Sequence, residues 1–563
     1  MSTLKKEGIY FIPLGGADEI GMNMFAYMVN GKIIVLDAGF GFLNDDYPGM
    51  DMCYASPEFL ENYKEDIQGL FITHGHEDHL GAIAQIWPSL QCPVYGTDFS
   101  LGLVKERLKE YHMEEVVPLI SVNNQKKIKV CEFEVEFIPI SHSIPETSAL
   151  FIKTQYGNIM HATDWRFDDN KLSMVKTDKK ALRRASKEGI DIFVCDSTNV
   201  MVNAPQPSEE EIRNNLMKII PELEGSVIAT CFASNIMRLE SLILSAHASG
   251  RTPVLVGRSL ITNVKNAKNC GYLTEYQDIH SIDEVEGLTQ DKALYICTGS
   301  QANYRSALTT IANDESKYIK LGVDDNVIFS SKIIPGNEDK IERMQSKMLS
   351  KGVNVITTED YLVHTTGHAN KKDLKSMYEL LKPKVVLPVH GDKRQIREHK
   401  RFAKLCGIDE VFSAENGDVC LYNNGKIEKI EEVATDIMGV DRLRSVSLNS
   451  ELIKNRRRIM YNCSVFISAV IDKDYKLQSL QVSSIDILEE NEWYILKEEI
   501  IKEVTPLIER MLEEEAHKNA VTDFIRGQIR KRILKATDIK PVTFIHIHWE
   551  DECDINQKGD END

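Results

Sequence analysis

Short apolar runs that end on polar, chemistry-bearing residues recur through the first part of the chain: KIIVLDAG (32–39), DIQGLFITHG (66–75), FEVEFIPISHS (133–143), NIMHATDW (158–165) and DIFVCDSTN (191–199). Apolar residues dominate these runs instead of alternating with polar ones, which predicts strands in sheets covered by helices on both faces. After Pro207 the period becomes helical in SEEEIRNNLMKIIPELEG, with Ser208 and Glu211 at capping-box spacing. Strand–helix alternation then restarts in SVIATCFASN, NIMRLESLILSAHASG, TPVLVGRSLI, KALYICTGS and NVIFSSKIIPGNE, the rhythm of a separate parallel α/β unit. VNVITTEDYLVHTTGHAN, DLKSMYELLK and KPKVVLPVHGD return to the character of the first section. The simplest organisation is one α/β domain interrupted by another.

The last stretch has a different pattern. NRRRIMYNCSVFISAVID reads as a basic run leading into a strand. KEEIIKEVTPLIERMLEEE carries a helical apolar stripe at 500, 501, 504, 507, 508, 511 and 512, with Pro506 as a kink. VTDFIRGQIRKRILKATD is a second amphipathic helix and PVTFIHIHWE a closing strand, whose His546 and His548 reflect alternation on one face. These elements predict an α+β cap suited to packing or oligomerisation.

Composition narrows the class. A chain of 563 residues exceeds one ordinary core, so two to four domains are expected, and 42% apolar with 27% charged residues is globular usage. No apolar run approaches about 18 residues, and the start lacks signal-peptide features, so neither a membrane span nor secretion is expected. The 11 cysteines are scattered singly with no CxxC pair, the usage of reduced thiols in a cytoplasm, which argues against a cysteine zinc site or a disulfide framework. A net charge of −19 argues against a nucleic-acid partner at first sight. Part of that acid lies in the tail DECDINQKGDEND, and carboxylates that hold metal count as negative here, so charge leaves the partner open.

The segment THGHEDHLG (73–81) concentrates ligating groups at one strand end. His74 and His76 alternate, so both project to one side, while Asp78 and His79 follow on a turn at a helix start. Imidazole and carboxylate are the groups that hold zinc or manganese. Leu80 stands where a helical HExxH motif would need its second histidine. Further ligands are expected at other strand ends: His142 in ISHSIPET, Asp164 in HATDWRF and His390 in LPVHGD. Asp37 in VLDAG is placed to orient a ligand histidine from behind.

The order Asp37, H-x-H-x-D-H, His142, Asp164, His390 resembles the metallo-β-lactamase superfamily. The interrupting domain, with Asp196 in CDSTN, His368 in HTTGHAN and His390 as its three motifs, resembles the β-CASP nucleases. A histidine at the third motif is similar to RNA-acting members, where DNA-acting ones tend to carry valine. LGGADEIGMN, CFASNIMR, CTGSQ, SSKIIPGNE and VHTTGHAN narrow the resemblance to the ribonuclease J family, from about residue 8 to 550.

The resemblance implies a metallo-β-lactamase αββα sandwich at 1–200 and 356–440, a β-CASP domain at 201–355, a linker at 441–453, a C-terminal α+β domain at 454–552 and an acidic tail at 553–563. It implies two zinc ions per subunit, or manganese, with His74, His76 and His142 on one, Asp78, His79 and His390 on the other, and Asp164 bridging. It implies 5′→3′ exonucleolytic hydrolysis of single-stranded, 5′-monophosphorylated RNA, with endonuclease action as a second mode, in RNA maturation and mRNA decay. A hydroxide shared by the ions would be the nucleophile, and His368, Asp196 and Asp78 the catalytic side chains. Ser234, Asn235, Arg238, Ser330, Ser331, His364, Thr365, Thr366, Gly367 and His368 would contact the substrate, with Lys332 adding charge. A cytoplasmic homodimer or homotetramer, with partners in an RNA degradation complex, completes the expectation. Four positions depart from the family pattern: Thr366, where many relatives have serine and which keeps the hydroxyl, Met237, and Ala302 with Asn303 after Gln301.

Overall fold

The computed structural model describes residues 7–122, 127–168, 174, 176–285, 287–334, 336–514 and 516–550. The acidic tail expected at 553–563 lies outside the described residues. The chain divides into two compact units, Met1–Phe42 with Met52–Ser445, and Leu43–Asp51 with Val446–Asp563.

Among the described residues, the larger unit is built on two facing sheets and a separate parallel one, with Gly41–Phe42, Met52–Ala55 and Ile437–Asp441 in a further small antiparallel sheet. The first sheet runs from the antiparallel strands Lys426–Glu432, Asp418–Asn423, Ile9–Gly15, Met24–Val29 and Lys32–Leu36 into the parallel strands Ile67–Phe71, Val94–Gly96 and Leu119–Ser121. The second joins Phe133–Pro139, Ser148–Thr154 and Gly157–Ala162, antiparallel, to the parallel strands Ile192–Asp196 and Val385–Val389. Phe11, Phe25, Tyr27, Leu36 and Phe71 from one sheet pack with Phe137, Leu150, Ile152, Val194 and Leu387 from the other, all buried. The opposite faces are buried too: Ile83, Ile86 and Leu90 of helix Ile83–Leu90 cover one, and Leu374, Met377 and Leu381 of helix Lys371–Leu381 the other. Strands enclosed on both sides read as continuous apolar runs, as the sequence does. The fold is therefore a four-layer α/β sandwich, helix, sheet, sheet, helix, as expected.

The third sheet is wholly parallel, in the order His280–Ser281, Thr252–Val256, Ala293–Cys297, Val227–Thr230, Asn326–Phe329, Asn354–Ile356. Every strand of it falls within the stretch that interrupts the sandwich. Helix Glu209–Ile219 leads into it. Ser208 Oγ accepts from Glu211 N at 3.2 Å and the Glu211 carboxylate accepts from Ser208 N at 2.7 Å, a closed capping box.

The smaller unit differs from expectation at its start. The basic run is helix Glu451–Asn462, and strand Ser464–Ile471 begins only after Cys463. Ile453 is the helix residue that is buried, so the basic side chains stay outside a short amphipathic turn. Residues 441–453 are not a bare linker either, since strand Arg444–Ser447 and the start of this helix lie within them. Leu43–Asp51, expected to belong to the first domain, groups with this unit: Tyr461 Oη donates to Asp46 and Arg457 sits 5.7 Å from the Tyr47 ring. One continuous helix, Glu490–Glu513, passes through Pro506. Its buried Ile500, Val504, Ile508 and Leu512 face Val521, Ile525, Ile529 and Ile533 of helix Lys518–Thr537, over Val465 and Ile467 of the sheet.

Ile529 is fully buried in that cluster. Ile529→Ala is expected to destabilise the smaller unit by about 2–4 kcal/mol. Amide exchange across Ser464–Ile471 should speed up by at least roughly tenfold, while strand Ile192–Asp196 keeps its protection.

Candidate metal centre

Apart from Asp78 and His79, the expected ligands and their supporting acids sit just beyond, or at, the C-terminal end of a strand. Asp37 follows Lys32–Leu36, His74 and His76 follow Ile67–Phe71, His142 follows Phe133–Pro139, Asp164 follows Gly157–Ala162, Asp196 ends Ile192–Asp196 and His390 follows Val385–Val389. The two sheets present these ends along one edge. His76 precedes the short helix Glu77–Leu80, which carries Asp78 and His79. Asn23 N, Ala38 N and Phe40 N clamp that helix by donating to the carbonyls of Asp78, His79 and Glu77 at 3.1, 2.7 and 2.9 Å. Gly39 is required there, because a Cβ would lie 1.7 Å from the Asp78 carbonyl oxygen. Asp37 and His390 both take left-handed backbone, at φ 61° and 54°, a strained turn that aims each side chain inward.

The structure gathers the donors into two adjoining groups. His74, His76, His142 and Asp164 form one, and Asp78, His79, His390 and Asp164 the other, each with its ligating atoms within 4.8 Å of one another. His76 Nδ1 faces His74 Nε2 at 3.0 Å and His142 Nε2 at 3.1 Å, and His142 Nε2 lies 3.4 Å from Asp164 Oδ2. In the second group His79 Nε2 is 3.1 Å from Asp164 Oδ1, and His390 Nε2 is 3.2 Å from Asp78 Oδ2. A tetrahedral ion with bonds of about 2.0–2.1 Å spaces its ligand atoms by about 3.3 Å.

Hydrogen bonds on the outer side assign the tautomers. His79 Nδ1 donates to Asp37 Oδ2 at 2.8 Å, His74 Nδ1 to Thr73 Oγ1 at 3.0 Å, His142 Nδ1 to the Gly367 carbonyl at 2.7 Å and His390 Nδ1 to Thr198 Oγ1 at 2.9 Å. All four turn Nε2 toward the shared centre. Asp37 is itself held by Thr73, whose N and Oγ1 donate to it at 2.8 Å. His76 Nδ1 carries at most one proton, so its contacts with two imidazole nitrogens are not both hydrogen bonds. Asp164 Oδ1 is buried and accepts no hydrogen bond. Converging nitrogen lone pairs beside an unsatisfied carboxylate oxygen fit divalent cations.

The electrostatics agree. Burial holds His74 well below the ordinary imidazole value and brings His76 to about 4 and His142 to about 3, so these three are neutral donors. Burial would also raise the carboxyls of Asp78, Asp164 and Asp196, but neighbouring imidazoles hold all three below their usual range. Burial opposes charge on His79, His368 and His390 as well, yet these carboxylates outweigh it and raise all three, His390 to about 10. The second group therefore has a marked affinity for positive charge.

His368 joins the edge of the centre, donating from Nδ1 to Asp196 Oδ2 at 2.8 Å. Ser331, Lys332, His364, Thr365 and Thr366 line a cleft of about 560 Å³ together with Asn199. Gly367 has a different role from the expected backbone approach to phosphate, because a Cβ there would lie 2.6 Å from His142 Cε1. Arg238, expected to meet the substrate, is 0% exposed, grips Glu209 at 2.9 and 3.0 Å and donates to Ser330 O, Ser330 Oγ and Val363 O. Asn235 caps helix Ile236–Ala248 by accepting from Arg238 N, Ser330 Oγ donates to Val363 O, and Ser234 lies outside the cleft lining. Arg238, Asn235 and Ser330 brace the wall, and none of the four lines the cleft. The missed counterpart is Arg166, which donates to Thr365 Oγ1 at 2.8 Å, Thr366 O at 2.7 Å and Pro207 O at 2.8 Å. Its position two residues after Asp164 in HATDWRF was the available signal.

Three family models match the chain: a beta-lactamase superfamily domain over 32–190, a ribonuclease J beta-CASP domain over 224–348 and a Zn-dependent metallo-hydrolase RNA specificity domain over 352–411. The ribonuclease J of Sinorhizobium meliloti is 33% identical over 473 residues, covering 83% of this chain and 84% of that protein. The chain belongs to the ribonuclease J family. A Helicobacter pylori ribonuclease J is 31% identical over 561 residues, covering 97% of this chain and 80% of its own. The crystal structure of a protein of unknown function from Enterococcus faecalis V583 shares the fold, with TM-score 0.51 at 18% identity over 74% of this chain and 100% of the other. As a member of that family, the chain is a metallo-β-lactamase nuclease with a β-CASP domain, a hydrolase of RNA phosphodiester bonds. Among the described residues no helix is long and apolar enough to cross a membrane.

Asp37→Asn removes the charge that fixes His79 while leaving both donor groups in place. The expected outcome is a folded chain whose metal affinity falls 10–100-fold. Metal content after equilibration against graded chelator checks it.

Proposed function

We propose that the chain is a 5′→3′ exoribonuclease acting on single-stranded RNA that carries a 5′-monophosphate. His74, His76 and His142 would hold one zinc ion, Asp78, His79 and His390 a second, and Asp164 would serve both, with manganese as the alternative. When bound, the ion pair supplies an activated water nucleophile at neutral pH and neutralises the reacting phosphate. Asp78 and Asp164 keep that charge balanced in a buried setting, and Asp37 holds His79 from behind.

His368 is the proton donor to the leaving 3′-oxygen. Asp196 occupies its Nδ1 at 2.8 Å and, with Asp164, favours the protonated ring, so the proton on Nε2 is available for transfer. Asp196 acts through His368 and is a positioning residue.

The observation that carries the exonucleolytic reading is the path of a single segment. His364, Thr365 and Thr366 line the cleft, Gly367 bonds His142, and His368 stands in the centre. Thr366 and His368 are separated by at most about 7 Å of chain, the scale of one nucleotide. A terminal phosphate among Ser331, Lys332 and the Thr365–Thr366 hydroxyls would leave the next phosphodiester at the donor groups. Lys332 Nζ, which donates to Asn199 Oδ1 at 3.2 Å, is the nearest cation of that wall.

Digestion of one RNA bearing a 5′-monophosphate or a 5′-triphosphate should release mononucleotides from the first and leave the second largely intact, and equal rates would refute the cleft assignment. His368→Ala is expected to lower kcat about 10²–10⁴-fold. Bound metal, measured on the same sample, should be unchanged.

A further inference from the structure

The helix that follows His390 concentrates positive charge in a chain whose net charge is −19. Helix Lys393–Leu405 buries Ile396, His399 and Ala403. Its outer side carries Lys393, Arg394, Arg397, Lys400, Arg401 and Lys404 against one acid, Glu398. That acid is already used, by Arg401 at 2.8 Å and Lys371 at 2.7 Å, and Lys393 pairs with Glu415 at 3.2 Å. Among the described residues no ion pair joins Arg394, Arg397, Lys400 or Lys404. Like charges three and four positions apart destabilise a helix. With acids abundant elsewhere in the chain, four unpaired cations on one face are a cost without a structural return.

These side chains do not simply radiate into solvent. With Met201, Arg401 and Glu398, whose carboxylate is held by Arg401 and Lys371, they line a groove of about 500 Å³. Met201 lies between Asn199 and Val202, which line the cleft, so the groove and the cleft share the loop 199–202 as a common wall. Asn199 Nδ2 donates to Thr366 Oγ1 at 2.8 Å and to the His368 carbonyl at 3.2 Å, which fastens that wall to the centre. At the other side Asp392, two residues after His390, caps the helix by accepting from Arg394 N and Gln395 N at 2.8 Å. Lys393, Arg397, Lys400 and Lys404 recur at helical spacing, and at 1.5 Å per residue Arg394 to Lys404 spans about 15 Å, room for two or three phosphates of an extended strand.

We propose that this groove binds the phosphate backbone of the RNA strand whose 5′ end occupies the cleft, a few nucleotides from the reacting bond. The inference rests on the reading of the cleft given above. No aromatic side chain lines the groove, so it makes no base-stacking platform, and its contacts are sequence-independent and salt-sensitive.

The test uses the full chain with Arg397→Ala, Lys400→Ala and Lys404→Ala combined, on 5′-monophosphorylated RNAs of four and about thirty nucleotides across a salt series. For the longer RNA, KM at low salt should rise roughly tenfold or more, and the slope of log affinity against log salt should become shallower by about 2, from about 0.7 per lost contact. The tetranucleotide should keep its kcat and KM. The charge-conserving variant Arg397→Lys, Lys400→Arg, Lys404→Arg should retain the wild-type slope, which separates charge from packing. An unchanged slope on the longer RNA, or equal losses on both lengths, would overturn the proposal. A wild-type chain that fails on the tetranucleotide would instead strike at the cleft reading, and the groove proposal would fall with it.

Discussion

One buried carboxylate serves both donor groups, and the rest of the centre depends on where it stands. Asp164 faces His142 through Oδ2 and His79 through Oδ1 at 3.4 and 3.1 Å. Moving either oxygen by an ångström would abandon one group. Its position follows from strand order: Gly157–Ala162 lies beside Ile192–Asp196, which lies beside Val385–Val389, all parallel. Parallel neighbours about 4.8 Å apart deliver Asp164, Asp196 and His390 side by side at one edge. His142 comes from the same sheet, after Phe133–Pro139, and the first sheet supplies His74, His76, Asp78 and His79 across the sandwich, from the turn and short helix after Phe71. Burying this much charge costs several kcal/mol per ion unless each group has partners. The outward hydrogen bonds to Asp37, Thr73, Thr198 and Gly367 supply partners for the imidazoles, and the converging inner atoms are left for cations.

The cleft wall is fixed by the same logic at one remove. Val363 is held by Arg238, and Thr365 and Thr366 by Arg166, both guanidiniums buried. An arginine fork satisfies several carbonyl and hydroxyl acceptors at once with rigid geometry. Glu209 neutralises Arg238, and Asp168, 3.4 Å from Arg166, neutralises the other. The segment that links the cleft to His368 is thus pinned at both ends by buried charges. Burial and Arg238 keep His364 well below the ordinary imidazole value, so that ring enters the cleft neutral.

Sequence legibility followed the same division. His74, His76, Asp78 and His79 were readable because the ligating chemistry is contiguous and ends an apolar run. His142, Asp164 and His390 were readable because each follows a run of its own. Arg238 was misassigned because an arginine beside CFASN reads as substrate charge, and only the fold reveals Glu209 opposite it. Asn23, Thr198 and Arg166 were missed as supports because their partners lie far along the chain, as with Thr198 and His390, and Thr73 because its link to Asp37 crosses between strands. Leu43–Asp51 could not be assigned from pattern, since a short polar loop carries no periodicity of its own.

The acidity of the chain is compatible with an anionic polymer because charge acts locally. At physiological salt the screening length is about 8 Å, so acids on distant surfaces contribute little to the field at the cleft. What an approaching phosphate experiences is the nearby balance. Inside the centre, Asp78, Asp164 and Asp196 are offset by imidazoles and would be more than offset by dications. On the adjoining rim, Lys332 and the cations of Lys393–Leu405 face outward, while Glu398 is already paired. A net charge of −19 then acts as a filter more than a barrier. On the readings proposed above, it would disfavour nonspecific adsorption over the surface and favour the edge where strand ends, cleft and basic helix meet.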